Sequence, residues 1–188
     1  MADLEEAIQL GREAVNATPI DHPDRVVYLY NLAARLGDRY SRTGVVADLE
    51  ETIRLRREAV NATPINYPDR AVHLNNLGVR LRDRYSRIGA VADLEEAIRL
   101  GREALDAIPI NHLNRVLLLS NLGVSLSYNY LRTEAIPDLE ETIRLEREVV
   151  DATPIDYPNR ARYLYNLGVS LGNKYSRTGV VADLEEAI

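Results

Sequence analysis

Apolar and polar positions alternate along this chain with the spacing of helices. In the segment after residue 48, Leu49, Ile53, Leu55, Ala59, Val60 and Ala62 recur three or four positions apart, and Pro64 follows as a stop. These residues cover more than one stripe, as a helix sandwiched between neighbours requires. A second pattern runs from about Pro68 to Arg87, with a core stripe of Leu74, Leu77, Gly78, Leu81 and Tyr85 in which the small Gly78 allows close helix approach. Between the two lies a short link, Ile65 to Asp69, whose Asn and Asp beside a Pro suit the start of a second helix. The expected fold class is all-α.

This pair of patterns repeats. The string DLEE opens at Asp3, Asp48, Asp93, Asp138 and Asp183, a period of 45 residues without insertion. A period of that size marks supersecondary units that stack on one another. The spacing predicts one repeat array over 1–188, with repeats at 3–47, 48–92, 93–137 and 138–182 and the start of a further helix at 183–188. The first helix of each repeat, helix B, is expected to begin at DLEE, with Asp as N-cap and the second Glu as its capping-box partner. The second, helix A, is expected to end at Gly44, Gly89 and Gly179. The third copy has Glu134 at the Gly position and Pro137 before DLEE, so a local distortion is expected there.

Helix A has a second face. At about 100° per residue, Val72, Asn75, Asn76, Val79 and Asp83 fall opposite the core stripe. Their counterparts are Val27, Tyr30, Asn31, Ala34 and Asp38 in the first copy and Leu117, Ser120, Asn121, Val124 and Tyr128 in the third. In the fourth they are Arg162, Tyr165, Asn166, Val169 and Asn173. Asn31, Asn76, Asn121 and Asn166 are identical in every copy. Stacked in register, their amides would form a ladder able to pair with the backbone of an extended peptide, with the Val and Tyr positions offering side-chain pockets. Amides bonded between neighbouring A helices would repeat in the same way, so both readings stand at this level.

Charge narrows the choice of partner. The 188 residues carry a formal charge of -6, which disfavours general nucleic-acid binding because that role leans on Lys and Arg neutralising phosphates. Lys174 is the only lysine, and Arg80, Arg82, Arg84 and Arg87 follow one another along a single helix; a solvated face with ion pairs between repeats accounts for them. No apolar run reaches the roughly 18 residues of a spanning helix, no cysteine is present, and the opening MADLEEAI is acidic where a secretory signal would be basic and apolar. A cytoplasmic protein without membrane contact is the expectation.

Nothing in the sequence supports catalysis, a metal or a cofactor. There is no glycine-rich phosphate loop and no H-E-x-x-H pattern, and the Glu50–Glu51 type of pair sits where capping and the helix dipole explain it. His22, His73 and His112 are assigned to surface or link positions, and Tyr40, Tyr85, Tyr130 and Tyr175 to the core side of helix A.

Leu74-x-x-Leu77-Gly78-x-x-Leu81, followed by Ala97, Ala104 and Pro109, resembles the tetratricopeptide signature. His-Pro-Asp-Arg-x-x-x-Leu-x-Asn-Leu at 22–32 is closer to the longer kinesin-light-chain type of repeat, and with DLEEAI it resembles fungal arrays found beside NB-ARC, NACHT or CHAT domains. The resemblance implies antiparallel helix pairs in a right-handed superhelix with helix A lining a concave groove. It implies a non-enzymatic scaffold for a protein or extended peptide, such as the ligand-sensing segment of a larger receptor. In place of the helix B aromatic this chain has Gly11, Arg56, Gly101 and Glu146. DLEEAI at both edges suggests a piece of a longer array, whose ends could also stack head to tail into a self-assembling rod.

Overall fold

The computed structural model describes residues 2–180, which form eight helices and, among the described residues, no strand. In chain order they are α1 (Ala2–Ala17), α2 (Arg25–Thr43), α3 (Val46–Ala62), α4 (Arg70–Ile88), α5 (Val91–Asp106), α6 (Arg115–Thr133), α7 (Ile136–Asp151) and α8 (Arg160–Thr178). The odd-numbered helices are the B helices of the sequence pattern and the even-numbered ones the A helices. Residues 183–188, expected to start a further helix, lie outside the described residues. The chain divides into two compact units, the first through Asp93 and the second from Leu94.

In the first unit α2 packs against α1 and α3, and α4 against α3; in the second α7 packs against α6 and α8. The core stripe of α2, α4 and α6 is buried: Leu29, Leu32, Ala33 and Leu36 of α2 pack with Ile8 and Val15 of α1 and with Leu55 and Ala59 of α3. Leu74, Leu77 and Leu81 do the same in α4, and Leu118, Leu119, Leu122 and Leu126 in α6. The B helix α3 buries Leu49, Ile53, Leu55, Ala59 and Val60, as a helix covered on two sides must. Of the four repeating tyrosines Tyr130 is buried, while Tyr40, Tyr85 and Tyr175 are half-buried.

In the first, second and fourth repeats the link from B to A is held by the arginine that opens the A helix. The last carbonyls of an α-helix have no partner within it. Arg25 Nη1 donates to the carbonyls of Val15 at 2.8 Å and Thr18 at 2.6 Å. Arg70 donates to those of Val60 at 2.9 Å and Thr63 at 2.7 Å, and Arg160 to Val150 at 2.6 Å and to Thr153. The threonine hydroxyls close the same turn by donating to carbonyls four residues back, as Thr63 does to Ala59 at 2.7 Å. In the third repeat Ile108 replaces this threonine, and Arg115 pairs with Glu148 at 2.7 Å. His22 and His112 serve the links as expected, their Nδ1 atoms accepting the backbone N–H of Asp24 at 3.2 Å and of Asn114 at 3.1 Å.

Two expectations about the return from A to B are corrected. The Asp of DLEE is not an N-cap: α3, α5 and α7 start two residues earlier, at Val46, Val91 and Ile136, and the caps Val45 and Ala135 make no side-chain cap bond. Asp48 instead lies buried and receives both prongs of Arg39 at 2.8 and 2.7 Å, while Asp93 receives Arg84 at 2.6 Å on each oxygen. Asp138 accepts Asn129 Nδ2 at 2.7 Å. The arginine that comes nine residues before the aspartate outcompetes the cap because it satisfies both oxygens where water is excluded. The distortion expected at the third repeat is also absent. Glu134 adopts the left-handed turn of Gly44, Gly89 and Gly179, with φ 57°, and its N–H donates to Tyr130 O at 2.7 Å as the glycines do at their sites. Pro137 sits at the second position of α7, where a missing N–H costs nothing.

Two stability measurements check this account. Arg25→Ala should lower the unfolding free energy by about 1–2 kcal/mol, since charge-assisted bonds to two part-buried carbonyls are lost. Glu134→Gly should raise it by about 1 kcal/mol by relieving a left-handed non-glycine residue. Urea titration of each variant reads both.

Candidate interaction face

The A-helix residues picked from the sequence fall into three groups. Val27, Asn31, Asp38, Leu117, Tyr128, Arg162, Tyr165 and Val169 are exposed. Tyr30, Val72, Asn76, Val79, Asp83, Ser120, Asn121, Val124, Asn166 and Asn173 are half-buried, and Asn75 is buried. The face is therefore shallow at its outer positions and closes toward the preceding A helix.

That closure is clearest around Tyr30. Asn76 Nδ2 donates to the Tyr30 hydroxyl, which lies 3.5 Å from the Val72 carbonyl, so one member of the asparagine set is tied to the neighbouring A helix. The Tyr30 ring lies 4.4 Å from the His73 ring and 4.9 Å from the guanidinium carbon of Arg56. In front of it a cleft of about 430 Å³ is lined by Val26, Val27 and Asn31 of α2, Thr63, Pro64 and Tyr67 of the α3–α4 link, and His73 of α4. Three of the residues picked from the sequence, Val27, Tyr30 and Asn31, thus meet in one concave site.

His73 corrects an expectation. It is buried, with Nδ1 at 3.3 Å from the Thr63 hydroxyl. Burial pulls its imidazole below the ordinary histidine range, opposed by Asp69, so it is neutral at pH 7. Its helix position faces the link and not solvent, because the Pro64-to-Asp69 segment folds back over it. Tyr67, 6.3 Å from the His73 ring, completes the aromatic wall. Neither residue belongs to the face read from helical periodicity, and the signal that could have found them is the aromatic character of both the link and the first turn of α4.

One repeat position holds buried charge. Gly11 and Gly101 occupy it in the odd repeats, where an added Cβ would meet the Cδ1 of Leu32 at 3.2 Å and of Leu122 at 3.0 Å. The leucine of helix A fills the room that an aromatic on helix B would need. In the even repeats the position is Arg56 and Glu146, 6% and 9% exposed. Arg56 Nε and Nη1 and Glu146 Oε2 have no hydrogen-bond partner in the protein. Burial pushes the Arg56 guanidinium down, opposed by Tyr30 and aided by Arg80. Burial pushes the Glu146 carboxyl up to about 7, opposed only by a hydrogen bond from Ser170.

Comparison with known proteins agrees with this architecture. The tetratricopeptide repeat family matches residues 70–113 and 117–154. Kinesin light chain TPR-like repeats of Podosopora anserina superpose with a TM-score of 0.67 at 18% identity, covering 99% of this chain and 86% of that one. BtubC from P. vanneervenii superposes at 0.70 with 17% identity, covering 99% and 70%, and MamA at 0.65 with 15%, covering 99% and 87%. A search of curated proteins found no match. The fold is a TPR-like repeat array. Repeats of this class are characteristically interaction scaffolds and not enzymes. Among the described residues no helix is long and apolar enough to cross a membrane.

The Glu146 carboxyl sets a pH dependence. Its folded value stands above the unfolded one, so its burial costs nothing while it is protonated and the cost grows as pH rises from about 4.5 to about 7. Glu146→Gln should leave stability unchanged at acid pH and raise it above neutrality, by roughly 3 kcal/mol at most. Thermal unfolding followed across that pH window checks the sign.

Proposed function

We propose that this chain is a non-enzymatic scaffold that captures an extended peptide in a concave groove lined by its A helices. The cleft between α2 and the α3–α4 link serves as the anchor pocket. The observation that carries the reading is the cleft itself. Val26, Val27, Pro64 and the Tyr30, Tyr67 and His73 rings offer an apolar or aromatic side chain about 430 Å³ of room, while the exposed Asn31 stands ready for main chain. Two broader hollows are less suited. One lies at Ile20 with Arg54 and Arg57, the other at Ile110 with Arg144 and Arg147, and their charged walls hold water. In the cell such a scaffold fits the ligand-sensing segment of a larger cytoplasmic receptor of the fungal type, with a protein or peptide partner and neither nucleic acid nor membrane as ligand.

A second reading, self-association, is favoured by one feature. Every link displays an isoleucine to solvent, Ile20, Ile65, Ile110 and Ile155, at least 80% exposed in each case. Light scattering across a wide concentration range separates the two, since a constant monomer mass removes self-association.

The peptide reading is tested at Val27, whose side chain is half exposed and so replaceable without unfolding. For a peptide selected on the wild-type protein from a random library, Val27→Glu should weaken binding at least about tenfold, with the melting curve unchanged. Fluorescence anisotropy gives the affinity; equal affinity for both proteins overturns the anchor-pocket assignment.

A further inference from the structure

We propose that the pocket around Glu146 takes a primary ammonium group, of the kind a lysine side chain carries, presented by a partner lying along α6 and α8. The inference rests on the scaffold reading and adds the chemistry of one subsite in the second unit.

The carboxylate is more than nine-tenths buried, and its Oε2 has no partner in the protein. It borders a cavity of about 10 Å³ whose other walls are Ser120, Val149, Tyr163 and Asn166. That is room for one water-sized group, which suits an ammonium and excludes the planar guanidinium of arginine. An ammonium brings three donors. Glu146 Oε2, the Ser120 hydroxyl and the Asn166 amide oxygen are acceptors for them.

Equivalent positions in the two units differ in what covers the charge. In the first, the Tyr30 ring lies over the buried Arg56. In the second, the residue at the Tyr30 position is Ser120, which carries no ring, and the charge beneath is reversed. The stem of Glu146 lies against Gly123, where an added Cβ would be 3.9 Å from Cγ. From the two helices packed against α7, Glu146 meets Ser120, Gly123, Tyr163, Asn166 and Ser170; the guanidinium carbon of Arg162 on α8 lies 5.5 Å from the centre of the Tyr163 ring, and Arg144 and Arg147 on α7 itself are exposed. Burial raises the Glu146 carboxyl to about 7. A single carboxylate is too few ligands for a divalent metal, and among the described residues no cluster of three metal-ligating side chains exists.

The test titrates the full chain with n-butylammonium while the Glu146 carboxyl carbon is followed by NMR, with tetramethylammonium, which has no N–H, as the control for charge alone. Saturable binding is expected for butylammonium only. It should be about tenfold or more weaker near pH 5.5 than near pH 8, because the protonated carboxyl does not attract it. It should vanish in Glu146→Gln and in Ser120→Tyr, which restores the ring of the first unit. Absence of saturation, an equal response to tetramethylammonium, or binding retained in Glu146→Gln overturns the proposal. Failure here with library peptides still bound through Val27 removes this subsite alone; loss of peptide binding with butylammonium still bound removes the scaffold reading alone.

Discussion

The carbonyls at the ends of α1, α3 and α7, each taking a guanidinium from the next helix, are the constraint from which the rest of the architecture follows. A two-helix unit must turn sharply, and a turn leaves backbone acceptors where water reaches poorly. Here a guanidinium from the next helix satisfies two of them at once, in the first, second and fourth repeats. Arg25 also reaches Glu58 of α3 at 2.9 Å, so one side chain ties three consecutive helices. The other end of α2, α4 and α6 is fastened by a left-handed residue and by a donor to the aspartate of DLEE. With both ends pinned, the leucines of the A helix meet the B helices in a fixed register.

That register explains how the chain dispenses with the aromatic residues of the tetratricopeptide signature. Leu32 and Leu122 press against Gly11 and Gly101, and the bulk that the signature places on helix B sits on helix A. In the even repeats the helix A leucine is kept, as Leu77 and Leu167, yet the same helix B position carries a long charged side chain. Burial of an unpaired charge costs stability. The units meet that cost differently: Arg56 lies against the Tyr30 ring, while Glu146 gains a hydrogen bond from Ser170. A face that looks uniform as a pattern thus carries one cationic and one acidic station.

Much of this was legible in the residues. The helices, their order and the buried stripe follow from apolar spacing, because a 3.6-residue period admits one inward face. The face opposite that stripe could be named for the same reason. Periodicity missed whatever depends on chain that folds back. His73 reads as a surface residue until the link covers it, and Tyr67 reads as turn chemistry until its ring closes the cleft. The aspartate of DLEE reads as a cap because the rule for caps is local, whereas Arg39 and Arg84 reach it across a turn.

The sequence by itself determined an all-helical chain of paired helices and the residues each helix must bury, since those depend on neighbours within two turns. Only the tertiary structure decided which polar groups are paired, that Tyr30, Asn76 and His73 meet at one wall, and that Arg56 and Glu146 are buried with atoms left unpartnered. Those outcomes depend on how close one helix comes to the next. That distance is set by the packing of side chains drawn from separate repeats, which no single segment specifies.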